Sequence, residues 1–337
     1  MQMATGTTKY SDLSVRNTVY AQKKMLETPQ PMLILEALAT HFTVPLNSTR
    51  VASWVRADAL PLATTPVIEG VVPSATKFTT QKIEATLKQY IGLVSVTDVL
   101  ADTHEDGNLM ALMEQMGYQL GNTVEAIRFG EFVSGTNKMQ TNGTNRSDIN
   151  TELNRTVIRK AIRSLKLQKA KPISRMVAPS VNYATTPVSP AYVGVAHTSA
   201  EMDIRNMGGF SPVENYANEA NMFPGEIGRV DAVRFVISTE VPFWANAGAA
   251  LGGTGMLSTG GSNIDVYPLL IIGMDALGVV SLKGPNAATP YLFNPVPSAG
   301  NPTGQVGHAV WKLWTTALIL NQAHVVRVEH AIKQDPA

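Results

Sequence analysis

The chain has no cysteine, which excludes a disulfide framework, a zinc ribbon and a thiol nucleophile. Charge is scarce: Asp, Glu, Lys and Arg make up 16% of its 337 residues, against roughly 25% in an average soluble domain. It is also balanced, with Lys+Arg 27 against Asp+Glu 26. That excludes a chain that holds nucleic acid mainly by bulk positive charge, because neutralising phosphates needs a basic excess. Long apolar runs are missing; the run at 268–272 (PLLII) is among the longest, far below the ~20 residues of a membrane-crossing helix, and no membrane contact is expected. Residues 1–8 lack a basic stretch followed by an apolar one, so no signal peptide is expected and the cytoplasm is the default compartment. What is present is 44% apolar residues, enough for a sizeable core. A surface so poor in charge is weakly protected against association, a first sign of a subunit that lives against copies of itself.

Along the chain, residues 1–50 read as an extended arm. Leu13, Arg16, Tyr20 and Lys23 keep helical spacing but give a thin apolar stripe, and a second patch follows at 32–35 with Leu38. A helix this weak needs something to lie on. Residues 54–73 hold Pro61, Pro66 and Pro73, which excludes a helix and fits the open end of a hairpin. The returning strand alternates: Ile83, Ala85, Leu87, Gln89, Ile91 and Leu93 form one face, opposite Glu84, Thr86, Lys88 and Tyr90. Residues 103–133 carry the strongest helical stripe, Leu109, Met113, Met116, Leu120, Val124 and Ile127, with a Thr103/Asp106 capping box at its start.

Asp148 is placed to cap a second helix with apolar Leu153, Val157, Ala161, Ile162 and Leu165; residues 155–171 carry seven basic side chains and no acidic one. Strands are expected at 192–196, in a hairpin over 225–239, on both sides of a turn at 273–275, and from 311 to 328. A short helix is expected from Thr198 or Ser199 through Ile204. Residues 241–264 contain no charge and many glycines, as an inserted loop would.

Chemical motifs fail one by one. The glycines at 252, 253 and 255 have no lysine nearby to reach a phosphate. The segment 102–107 begins like a calcium loop but has Met113 where the bidentate Glu belongs. His104-Glu105 lacks a second zincin histidine, and no Gly-x-Ser-x-Gly elbow exists. No catalytic, cofactor-binding or metal site is expected.

Four segments in order nevertheless resemble one family: LPLATTPVIEG at 60–70, DTHED at 102–106, PGEIGRVDAVRF at 224–235 and DVYPLLIIGMDALGVV at 265–280, with the ending at 311–329 similar as well. The resemblance is to the major capsid proteins of tailed bacteriophages, in the branch named after the coliphage that carries its own RNA polymerase in the virion. It implies an α+β fold of the Hong Kong 97 type: an N-terminal arm (1–52), an extended loop (53–92), a peripheral domain with a long spine helix (93–145 and 306–337) and an axial domain (146–305). It implies a coat protein, not an enzyme. Such a protein assembles in the host cytoplasm into hexamers and pentamers, and then into the icosahedral virion shell around double-stranded DNA, with portal and possible scaffold or decoration proteins as further partners.

An encapsulin-like compartment shell is the alternative within the fold, and a cytoplasmic α/β enzyme the alternative outside it. On the capsid reading Trp54, Arg56, Asp58, Thr65, Pro66 and Glu69 are candidates for contacts across subunits. The basic helix face Arg155, Arg159, Arg163 and Lys166 is a candidate for an inner-surface contact, touching DNA without sequence preference, or for a contact between subunits. Ordering about 90 residues of arm and loop costs about 1–2 kcal/mol per residue, and burial against neighbours is the expected compensation.

Overall fold

The computed structural model describes residues 7–8, 34–66, 69–70, 72, 74–97, 108–177, 185–215, 223, 225–252, 255–282, 288–293, 297 and 303–334. The arm helix expected at 13–23 and the Thr103/Asp106 box lie outside them. In chain order the elements are β1 (Thr7–Thr8), α1 (Ile34–Leu38), β2 (Thr40–Val44), β3 (Val51–Ala57), β4 (Thr80–Thr86), β5 (Lys88–Thr97), α2 (Asn108–Val133) and β6 (Lys138–Gln140). Then come α3 (Arg155–Leu167), β7 (Ile173–Val177), β8 (Thr185–His197), α4 (Glu201–Arg205), β9 (Phe210–Pro212), β10 (Glu226–Val230) and β11 (Val233–Ser238). The chain closes with β12 (Tyr267–Ile272), β13 (Leu277–Leu282), β14 (Ala288–Phe293), β15 (Val306–Ile319) and β16 (Val325–His330).

They build two sheets and a separate hairpin. One sheet has six strands in the order β1-β5-β15-β13-β2, with β14 also on β15; the other has eight in the order β6-β16-β12-β8-β11-β10-β9, with β7 on β8; β3 and β4 pair alone. The run at 268–272 is apolar throughout because its strand is covered on both faces. Leu269 and Ile271 join α3 and α4 in one core, while Leu270 and Ile272 join α1 and the end of α2 in another.

Helix α2 has 26 residues, about 39 Å at 1.5 Å per residue, and it links two cores. Met113, Met116, Leu120 and Val124 of the expected stripe lie on Trp311, Leu313 and Tyr90 of the six-stranded sheet. Ile127 is only half-buried; Phe129 and Phe132 take over, against the eight-stranded sheet. Gly92 lies opposite Trp311 on the neighbouring strand, and a Cβ there would overlap the indole, whose Nε1 donates to Gln119 Oε1 at 3.1 Å. Gly92→Ala is expected to cost about 1–3 kcal/mol by overpacking, read as a lower thermal midpoint with red-shifted tryptophan emission.

Helix α3 buries Val157, Ala161, Ile162 and Leu165 of the five expected apolar residues, the fifth, Leu153, being buried just before its start, and the β10–β11 hairpin forms as expected. Three expectations are corrected. Asn154, not Asp148, caps α3, its Oδ1 accepting from Val157 N at 3.0 Å; Asp148 instead accepts from Thr144 N and Asn145 N in the preceding turn. The alternation of 83–93 breaks at Leu87, where the chain passes from the hairpin to the six-stranded sheet. The buried face flips there, leaving Ile91 and Leu93 exposed. The strand, turn and strand expected around 273–275 form, and the two strands part into different sheets: β12 joins β16 and β13 joins β15. Residues 306–337 therefore do not return as one block to the sheet that carries α2. β15 does, while β16 completes the eight-stranded sheet, and β13 and β14 cross the other way.

The uncharged loop is more ordered than its composition implies. Buried Asp265 accepts from Asn246 N (2.8 Å), Thr259 N (2.8 Å) and Thr259 Oγ1 (2.6 Å), and Met256 and Ile264 share a small core with Ile149 and Ala331. Part of the arm also has a place on its own chain, since Leu35 and Leu38 of α1 are buried against Phe129 and Phe132. The expectation that the first 90 residues bury little on their own chain does not hold for 34–44.

Candidate assembly interface

The hairpin is the part of the chain with least of its own to bury. β3 and β4 pair in register from Val51↔Thr86 to Ala57↔Thr80. The sides of β3 alternate, with Val51, Ser53, Val55 and Ala57 exposed and Ala52, Trp54 and Arg56 half-buried. At its root Trp54 meets Phe42 edge-on, ring centroids 4.8 Å apart, in a small core with Val44, Leu87 and Val280. Arg50 Nε closes the root by donating to Leu87 O at 2.8 Å. Further out, Arg56 Nη2 donates to Gln81 Oε1 (2.7 Å), and Thr79 Oγ1 donates to Asp58 Oδ2 (3.0 Å). Beyond that clamp every described residue of 59–66 and 72–79 is exposed. They include Leu60, Leu62 (86% exposed), Val72 (90%) and Phe78.

The six candidate contacts therefore divide. Trp54, Arg56 and Asp58 have partners within the hairpin or at its root, so their first role is to hold it rigid. Thr65, Pro66 and Glu69 are exposed at the far end, with Glu69 beside Gly70 in a turn at φ 80°. Sequence reasoning missed Leu60, Leu62, Val72 and Phe78. The signal was there: large apolar residues between prolines, in a stretch whose periodicity offers them no common face.

The basic face divides too. Arg155 (Nη2 2.6 Å, Nε 3.1 Å) and Arg159 (Nε 2.9 Å) both bond the Asp231 carboxylate at the β10–β11 turn. Hydrogen bonds from Arg155 and then Arg159 hold that carboxyl well below the usual range. Arg163 and Lys166 are exposed and line a surface depression with Leu167; it adjoins a second one lined by Lys166, Lys169 and Lys171.

A buried ion cluster fixes the end of α2 to the eight-stranded sheet. Arg146 grips Glu329 with two bonds (Nη2–Oε1 2.7 Å, Nε–Oε2 3.1 Å), and Arg327 Nη2 reaches Glu329 Oε1 at 2.9 Å. Arg327 Nη1 also donates to Val133 O and Gly135 O, carbonyls of the last helical residue and of the turn that follows it. Trp244 carries the Arg146 guanidinium 3.5 Å from its ring centroid. Burial pushes the Glu329 carboxyl up, but the bonds and charges of Arg146 and Arg327 outweigh it and hold it low. This is a structural joint: its one carboxylate is committed to two guanidiniums.

Among the described residues no group of three or more His, Cys, Asp or Glu could hold a metal ion, and no helix is long and apolar enough to cross a membrane.

A family model described as phage capsid protein matches residues 80–316, well over half the chain. No curated protein matches in sequence. Three solved structures share the fold at low identity. The capsid of Ralstonia phage GP4 is 12% identical, with TM-score 0.62 over 89% of this chain and 88% of that one. The cyanophage Pam1 capsid asymmetric unit is 10% identical, with TM-score 0.60 over 96% of each. The head of Helicobacter pylori bacteriophage KHP40 is 11% identical, with TM-score 0.59 over 95% and 93%. The fold is the Hong Kong 97 type expected from the sequence motifs, and the chain belongs to the phage capsid protein family, as a structural major capsid protein of the virion shell and not an enzyme.

Proposed function

We propose that this protein is the repeating coat subunit of a tailed-phage head, assembling through hexamers and pentamers into the icosahedral shell that encloses double-stranded DNA. The observation that carries the reading is the hairpin: a rigid, anchored ladder ending in exposed apolar side chains that only another copy can cover. It serves as the extended loop. The six-stranded sheet with the front of α2 forms the peripheral domain, and the eight-stranded sheet with α3 and α4 forms the axial one. The finer placement, in the branch of the coliphage with a virion RNA polymerase, rests on the four ordered segments from 60 to 280. A portal at one vertex and a separate scaffold or decoration protein complete the partner list. Arg163 and Lys166, which the Asp231 clamp does not engage, are the part of the basic face offered to DNA or to a neighbouring subunit.

Negative-stain microscopy of the expressed protein tests the core of this reading. Closed shells are expected; a monodisperse monomer or dimer at assembly concentrations would refute it. At residue level, the double reversal Arg56→Glu with Glu69→Arg is expected to lower particle yield tenfold or more without lowering the thermal midpoint of the subunit. Unchanged yield would remove both from the interface.

A further inference from the structure

Glu125 is fully buried on α2. Its Oε1 accepts from Ile34 N at 2.7 Å and Leu35 N at 3.0 Å, the first residues of α1, where residues 1–33 join the body. Its Oε2 is buried and meets no donor among the described residues. The charged groups around it belong to three elements. From α2 itself comes Arg128, whose Nη1 is committed to Glu36 Oε2 at 2.6 Å; from α1 comes Glu36; and from β2 comes His41, whose Nδ1 lies 3.7 Å from Glu36 Oε1. The strands packed against this end of α2 contribute apolar side chains to the same core, among them Leu270 and Ile272 of β12, Leu277 of β13 and Ala317 of β15. Arg327 of β16 is turned away, onto the carbonyls of Val133 and Gly135 at the end of α2.

We propose that Glu125 is a proton-gated latch, which holds α1 on the body when it carries a proton and loosens it when ionised. The neutral carboxyl still accepts both backbone N–H groups through Oε1. Ionisation places charge on a fully buried oxygen that no donor among the described residues meets, which is expensive. In the docked state burial pushes Glu125 up to about 7, against 4.5 for an unperturbed glutamate. Released, the side chain is an ordinary exposed glutamate. The sign is therefore opposite to that of a salt-bridged acid. Docking of α1 is strongest below pH ~4.5, weakens about tenfold per unit up to pH ~7, and is level above it, a total of about 300-fold. On the coat-subunit reading, the consequence is that the junction with the N-terminal segment is most loosely held near neutral pH, where assembly takes place, and so is free to settle against a neighbour.

The test is hydrogen exchange of residues 34–44 in the unassembled full-length chain from pH 5 to 8, corrected for intrinsic rates. Wild-type protection is expected to fall at least tenfold from pH 5 to 7 and to stay level above. Glu125→Gln, which keeps the acceptor and cannot ionise, should stay protected across the range, and Glu36→Gln should retain the wild-type fall. Wild-type protection that does not change with pH would overturn the latch. So would loss of the fall in Glu36→Gln, or an unprotected α1 in Glu125→Gln at pH 5 with β12 and β16 still protected. Microscopy separates this from the coat reading: shells with flat exchange profiles would sink the latch alone, and a pH-dependent α1 in a chain that never assembles would sink the coat reading alone.

Discussion

Glu329→Ala is expected to cost about 3–5 kcal/mol of subunit stability. Breaking a buried ion pair on one side leaves the other charge without compensation, and that loss exceeds what the intact pair contributes. Here two guanidiniums are orphaned at once. Arg327 is nearly as buried as Glu329, and its own charge is already disfavoured by burial; without the carboxylate it keeps the carbonyls of Val133 and Gly135 and the more distant Trp244 ring. If the 337 residues melt as one unit, this loss corresponds to a midpoint lower by about 4–7 °C. Arg146→Ala should cost less, about 1–2 kcal/mol, because Arg146 is a third exposed and Arg327 remains on the acid. The acid also sets a pH dependence. Glu329 is held below its unfolded value, so its contribution is fully present above pH ~4.5 and is lost as pH falls through the depressed value. That is the reverse of Glu125, whose stabilisation of the α1 site is lost as pH rises. A Glu329→Ala midpoint within 1 °C of wild type would show that the joint adds nothing.

What could be read from the sequence was local. The α3 stripe, the β10–β11 hairpin and the front of α2 each carry their periodicity within one element, and one face of each meets one partner. What could not be read was set by pairings distant in sequence. The apolar alternation through 83–93 is unbroken in composition, yet the strand changes sheets at Leu87; only the location of β3 and β15 decides that. Gly92 looks like a weak point in a strand until Trp311, more than two hundred residues away, is found lying across it. The Arg146–Glu329 bond spans 183 positions, and nothing near Glu329 announces its partner, although Arg327 and Glu329 two apart in a strand do share a face. The candidate contacts were chosen without knowledge of what each side chain touches on its own chain. Trp54, Arg56 and Asp58 were chosen as contacts with other chains, and their partners prove to be within their own. The apolar residues that do face outward were passed over because they belong to no pattern.

That division leads to the sharpest expected result. Replacing residues 59–78 with Asn-Gly, a two-residue turn suited to a hairpin, should abolish shell formation while leaving the subunit folded. The splice falls just outside the Asp58–Thr79 clamp, so the ladder from Val51 to Thr86 and the Trp54 anchor are kept. The removed side chains contribute little to the isolated subunit, because those described are exposed. A midpoint within about 2 °C of wild type and an unchanged far-ultraviolet spectrum are expected. On the coat-subunit reading the same side chains are expected to supply much of the contact between copies. Fully burying a Leu, Val or Phe is worth about 1.5–3 kcal/mol, so Leu60, Leu62, Val72 and Phe78 together offer roughly 6–12 kcal/mol per copy before ordering costs. Each subunit repeats that loss, and a closed shell multiplies it over every contact, so the variant should remain as dispersed subunits or capsomers in microscopy and sedimentation. Normal shells from the shortened chain would mean that the hairpin tip is not the interface. An unfolded variant would mean that the tip serves the subunit's own core, against the exposure of every described residue in it.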